Sequence, residues 1–102
     1  MYAELERQRK RVAELCRRHG VRRLDVFGSA AREDFDPSTS DLDFVVTLDD
    51  REPVSYSNSY FELKEALERL FGREVDLVTE RSLENPYFRA RVDQERRNLY
   101  AR

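Results

Sequence analysis

The chain is poor in the residues that most often staple, ligate or punctuate a fold. In 102 residues it has one cysteine, one histidine, one methionine, no tryptophan, three glycines and three prolines. A single cysteine, Cys16, excludes an internal disulfide framework and a Cys-ligated zinc site, and its place among apolar helix positions suits a reducing compartment. Lysine is nearly absent too: of 19 basic residues only Lys10 and Lys64 are lysines. No apolar run approaches the ~20 residues that cross a bilayer. Residues 1–11 lack the apolar segment of a secretion signal. These absences predict a soluble, cytoplasmic protein with no membrane partner.

What is present is charge, arranged around short apolar patterns. Charged residues make up 39% of the chain and the mean hydropathy is −0.84. Leu, Val and six Phe nevertheless recur in patterned runs, which predicts a solvated globule rather than a disordered polymer. The length fits one small domain over residues 1–102. The net charge of −2 hides a basic stretch, since residues 7–23 hold eight Arg or Lys against Glu14 alone. Such a block reads first as a solvated helix face; nucleic acid or an acidic partner is the alternative and is not expected.

Periodicity predicts a helix over 2–19, with Leu5, Val12, Leu15 and Cys16 on one face and Gly20 as its stop. His19 then sits in the last turn as a partner for the carbonyl end. Residues 22–27 alternate as a first strand ending at Gly28-Ser29. A short helix capped by Ser29 is expected next, followed by a turn-rich loop over 36–40. Residues 41–48 read as a second strand and 49–58 as a surface loop. Ser59 and Glu62 have capping-box spacing for a helix with Tyr60, Leu63, Leu67, Leu70 and Phe71 inside, closed by Gly72. Residues 74–79 read as a third strand, and Pro86 opens a last helix. Residues 98–101 fit either its continuation or a terminal strand.

Three features carry chemistry when taken together: Gly28-Ser29 at the end of a strand, Asp41-Leu42-Asp43 opening the next, and Asp76 in a later one. Side chains two apart on a strand share a face, so Asp41 and Asp43 place like charges at the margin of an apolar sheet. Carboxylates so placed raise each other's pKa and call for cations or hydrogen bonds. Oxygen ligands of this kind suit magnesium or manganese held together with substrate phosphates. If the third strand lies beside the second, Asp76 faces the same site and either ligates metal or accepts a proton. Gly28 permits close backbone approach to a phosphate, and Ser29 adds a hydroxyl donor. Arg32 either reaches the same phosphates or pairs with Glu33.

Val26-Phe27-Gly28-Ser29-Ala30-Ala31-Arg32, then Ser40-Asp41-Leu42-Asp43-Phe44-Val45-Val46, then Glu74-Val75-Asp76-Leu77-Val78-Thr79 together resemble the minimal nucleotidyltransferase (MNT) family of the DNA polymerase beta superfamily. The resemblance covers most of residues 21–101 and departs from many relatives at Glu33-Asp34, where a glycine is common. It implies an α/β (α+β) palm with a small mixed sheet. It also implies Asp41, Asp43 and Asp76 as catalytic metal ligands, and Gly28, Ser29, Arg32 and Ser40 at the nucleotide. Magnesium, or manganese, with ATP as substrate would support adenylyl transfer. Stand-alone members resemble the antitoxins of HEPN/MNT toxin–antitoxin pairs, which implies AMP transfer to a tyrosine hydroxyl of a HEPN ribonuclease in a hetero-oligomer or homo-oligomer. Two alternatives stay open: a binding antitoxin that occludes the toxin without catalysis, and a nucleotidyltransferase acting on RNA or a small molecule.

Overall fold

A computed structural model describes residues 1–102. Helices α1 (Ala3–Arg7) and α2 (Arg9–Arg18) precede strand β1 (Val21–Phe27), and strand β2 (Leu42–Leu48) follows after a long turn region. Helix α3 (Pro53–Phe71) leads to strand β3 (Val75–Thr79), and helix α4 (Pro86–Glu95) leads to strand β4 (Arg97–Ala101). The four strands form one mixed sheet in the order β3-β2-β1-β4. β1 runs antiparallel to both β2 and β4, whereas β2 and β3 are parallel because α3 carries the chain back between them. The mixed α+β architecture matches the expected fold class.

Each sheet face has its own cover. Leu24 and Val26 of β1 join Leu42, Phe44 and Val46 of β2 and Val75 and Leu77 of β3 in the main core, together with Leu5, Val12 and Cys16 from α1 and α2 and Leu63 and Leu67 from α3. The opposite face buries a smaller cluster of Phe27, Val45, Leu83 and Val92, with Val78 packed against it. Period-two alternation therefore sends every second side chain of β2, Asp43 and Val45 included, toward α4. Burial also pushes the Cys16 thiol up to about 12, so this cysteine is inert at neutral pH.

Several expectations are corrected. The N-terminal helix is divided at Gln8, whose φ of −97° and ψ of 9° interrupt the regular turn. No helix capped by Ser29 follows β1. The chain makes a single 3-10 turn over Gly28–Ala30, with Phe27 in the cap position and no side-chain cap. The segment 49–58 is a loop only to residue 52, because Pro53 is pre-set for a first helical position and the Glu52 carboxylate accepts from Ser55 N at 3.3 Å. Ser59 consequently lies inside α3, buried, accepting from Arg51 Nη1 at 3.2 Å. Gly72 closes the helix in the left-handed region as anticipated. Residues 97–101 form a strand, which settles the ambiguous terminus.

Half of the basic residues of 7–23 are taken up in ion pairs: Arg7 with Glu4, Arg9 with Glu6, Arg22 with Asp49, and Arg23 with Asp25. His19 caps α2 with its Nδ1 3.7 Å from Glu62 Oε2, and burial lowers its pKa. No helix is long and apolar enough to cross a membrane.

Candidate active site

The site grows from the register of β2 and β3. Asp43 stands opposite Asp76 on the parallel neighbour and opposite Phe27 on the antiparallel one. Paired residues on adjacent strands share a face, so the two carboxylates stand side by side beneath α4. Immediately after Phe27 the chain turns at Gly28 with φ of +71°. A Cβ built at that glycine would lie 2.4 Å from Asp43 Oδ2. Glycine is needed here twice over, for the left-handed backbone and for the close passage of the carboxylate.

These parts open on a cleft of about 310 Å³, with Gly28, Ser29, Asp43 and Asp76 on the sheet side and Phe88 and Glu95 on the α4 side. Arg32 and Arg91 also line it. Burial is the main cause that raises the Asp43 pKa to about 6; repulsion from Asp76, Asp41 and Glu95 adds to it and Arg32 opposes it. The cleft thus concentrates negative charge in a half-desolvated place, the condition that cations relieve.

The sequence-selected residues do not all converge. Asp41 is exposed at the mouth of β2, outside the cleft lining, although its charge is felt at Asp43. Ser40 does not line the cleft either: its hydroxyl accepts from Asp36 N at 3.1 Å and its carbonyl from Arg73 Nη1 at 3.2 Å. Arg32 pairs with Asp34 and Glu95 rather than with Glu33. No three acidic, histidine or cysteine side chains close into a ready-made cation cage. The donor set still fits magnesium, which binds through one or two carboxylates and completes its octahedron with water and substrate phosphates.

Four residues with a part in this architecture escaped the sequence reading. Glu95 stands in the cleft although nothing near it in sequence marks it. Asp25 is fully buried on β1, accepting from Arg96 Nε at 2.7 Å, Asn98 Nδ2 at 2.9 Å and Arg23 Nε at 3.0 Å. Arg96 continues to Glu80 at 2.8 Å and Asp93 at 2.9 Å, so the C-terminal end of α4 is tied to the sheet by charge-assisted bonds. Arg73 stacks its guanidinium 5.0 Å from the Phe35 ring and 5.7 Å from the Tyr2 ring while donating to Pro37 O and Ser40 O, which pins the 36–40 turn that delivers Asp41. Apart from Arg23 with Asp25 and Arg96 with Asp93, these contacts join distant segments, so no local spacing announces them.

A larger hollow of about 550 Å³ lies between α2 and α3, lined by Arg11, Arg18 and Arg69 against Glu14, Glu62 and Glu65. Its charges balance, and it lacks both the paired carboxylates and the glycine turn. Chemistry, not size, therefore points to the smaller cleft.

The nucleotidyltransferase domain family model matches residues 8–99. The chain belongs to that family. It is 42% identical over 72 residues to the protein adenylyltransferase MntA of Thermococcus cleftensis, covering 71% of this chain and 69% of that one. A solved structure assigned as a minimal nucleotidyltransferase superposes with a TM-score of 0.77 at 40% identity, over 95% of both chains. The fold is also that of a complex described as tri-AMPylated Shewanella oneidensis HEPN toxin with MNT antitoxin, at a TM-score of 0.66 and 20% identity, over 96% of this chain and 73% of that one. In this nucleotidyltransferase the paired carboxylates and the glycine turn line one cleft.

Proposed function

We propose that this nucleotidyltransferase is an antitoxin that transfers AMP from ATP to a tyrosine hydroxyl of a HEPN ribonuclease and thereby silences it. The relative named as a protein adenylyltransferase supports the donor chemistry, and the fold shared with the HEPN–MNT complex supports the partner. The single observation that carries the reading is the adjacency of Asp43 and Asp76 beside the turn at Gly28.

In this reading Gly28 and Ser29 receive the triphosphate, with Arg32 near its β and γ groups. Asp41, at the rim, would help to hold a cation, and Ser40 steadies the turn behind it. Magnesium held by Asp41 and Asp43 would neutralise the triphosphate and favour the ionised acceptor. The tyrosine Oη attacks the α-phosphorus, an O–P bond forms, the bond to the β-phosphate oxygen breaks, and pyrophosphate departs. Asp76, on the outer strand where a protein acceptor can approach, takes the hydroxyl proton and passes it to water. Residues 1–102 act as one catalytic unit whose acceptor comes from the partner, at work in the cytoplasm.

The test is to purify the chain with its co-expressed HEPN partner, supply ATP and magnesium, and locate AMP on the partner by mass spectrometry. Modified tyrosine is expected with the wild-type chain, and Asp43→Asn should reduce it at least about a hundredfold. An intact complex that stays unlabelled would defeat the catalytic reading. Neutralisation that persists unchanged in the Asp41→Asn, Asp43→Asn double variant would favour occlusion instead.

A further inference from the structure

Glu95 is the last residue of α4, where the free carbonyl ends gather negative partial charge and the final turn holds no basic residue. An acid at that end of a helix is disfavoured by the dipole, so its presence asks for a cause. Its side chain is only 15% exposed and faces the cleft that Asp43 and Asp76 line. Each carboxylate oxygen is engaged by a different arginine. Oε2 accepts from Arg32 Nη1, and Oε1 lies 3.6 Å from Arg91 Nε. Arg32 is further held by Asp34, through Nε at 3.1 Å and Nη2 at 3.3 Å.

Arginine has five N–H donors in a rigid fork. Asp34 and Glu95 engage three of those on Arg32, which leaves two for an anion while the guanidinium plane is already fixed. Asp34 is exposed and belongs to the same turn as Arg32, so it cannot by itself aim the side chain across the cleft. Glu95 comes from another element and can.

We infer that Glu95 is a positioning residue for nucleotide capture. It holds Arg32, with Arg91 beside it, at the phosphate end of the cleft, so that a nucleoside triphosphate meets an oriented donor rather than a side chain spread over solvent rotamers. The inference rests on the nucleotide site proposed above. Glu95 also repels phosphate, but the orientation it gives Arg32 outweighs this repulsion.

The experiment is calorimetric binding of ATP with magnesium to the purified chain, as a double-mutant cycle between Arg32 and Glu95. Glu95→Ala is expected to weaken binding about tenfold. Glu95→Gln, which keeps one acceptor oxygen but no charge, should lose about half of that on a logarithmic scale. Arg32→Ala should weaken binding by at least as much as Glu95→Ala, and adding Glu95→Ala to it should change affinity by less than about twofold. Glu95→Gln should melt within a few degrees of wild type, so its weaker binding cannot be a folding loss. Unchanged or tighter binding by Glu95→Ala, or additive losses in the double variant, overturns the positioning role while leaving the nucleotide site standing. A wild-type chain that binds no ATP with magnesium overturns both.

Discussion

Asp43 has a folded-state pKa of about 6 against an ordinary value of 3.8, because it is half-desolvated and surrounded by Asp76, Asp41 and Glu95. A raised carboxyl pKa means that the folded chain binds the proton more tightly than the unfolded chain. Between about pH 4 and pH 6 stability therefore falls as pH rises, and above that window the cost is constant. Asp43→Asn removes the cost. At pH 7.5 the variant should be more stable by about 1 kcal/mol after allowance for solvent screening, or roughly 4–8 °C in Tm for a domain this size. The advantage should vanish below about pH 4. Thermal melts of both proteins at pH 7.5 and pH 4 check this, and a wild-type chain as stable as the variant at pH 7.5 would contradict it.

At the scale of elements, α4 decides what the functional face of the sheet becomes. Its start is set by Asn85, whose side chain accepts from Tyr87 N at 2.9 Å and Phe88 N at 3.1 Å, and by Pro86 at the first helical position. Its end is set by Arg96, which stitches buried Asp25 to Glu80 and Asp93. Arg96→Ala would leave Asp25 buried with only Arg23 and Asn98, and should cost about 3 kcal/mol in urea unfolding. A loss below about 0.5 kcal/mol would show that Asp25 is adequately satisfied without it. The elements that position the site differ in how plainly the sequence announces them. β1, β2 and β3 were legible because alternation and the Gly-Ser, Asp-X-Asp and Asp76 signals coincide in them. α4 was legible only as a helix. Just one of its residues, Val92, is buried, so no apolar stripe told which side faces the sheet, and Glu95 and Asp25 stayed hidden for that reason. The start of α3 was misread because Ser59 and Glu62 mimic a cap that Glu52 and Pro53 supply earlier.

For the whole molecule, a radius of gyration of 13.0 Å leaves little interior, and the cleft is carved where sheet and α4 meet rather than inside a core. Ligand binding should then couple directly to global stability. ATP with magnesium at a hundredfold excess over its Kd should add about 2.7 kcal/mol, raising Tm by roughly 10–20 °C. Differential scanning fluorimetry measures this, and ATP without divalent cation should give a much smaller shift. Equal shifts with and without the cation would argue against metal-bridged binding.

The two carboxylates that meet in the cleft lie on neighbouring parallel strands joined only through the long helix between them. Sliding one strand by a single residue would exchange its faces and send Asp76 into the apolar interior while Asp43 stayed behind. If the proposed site is the catalytic one, a mispaired chain would be silent as well as unstable, and catalytic competence itself would certify correct strand alignment.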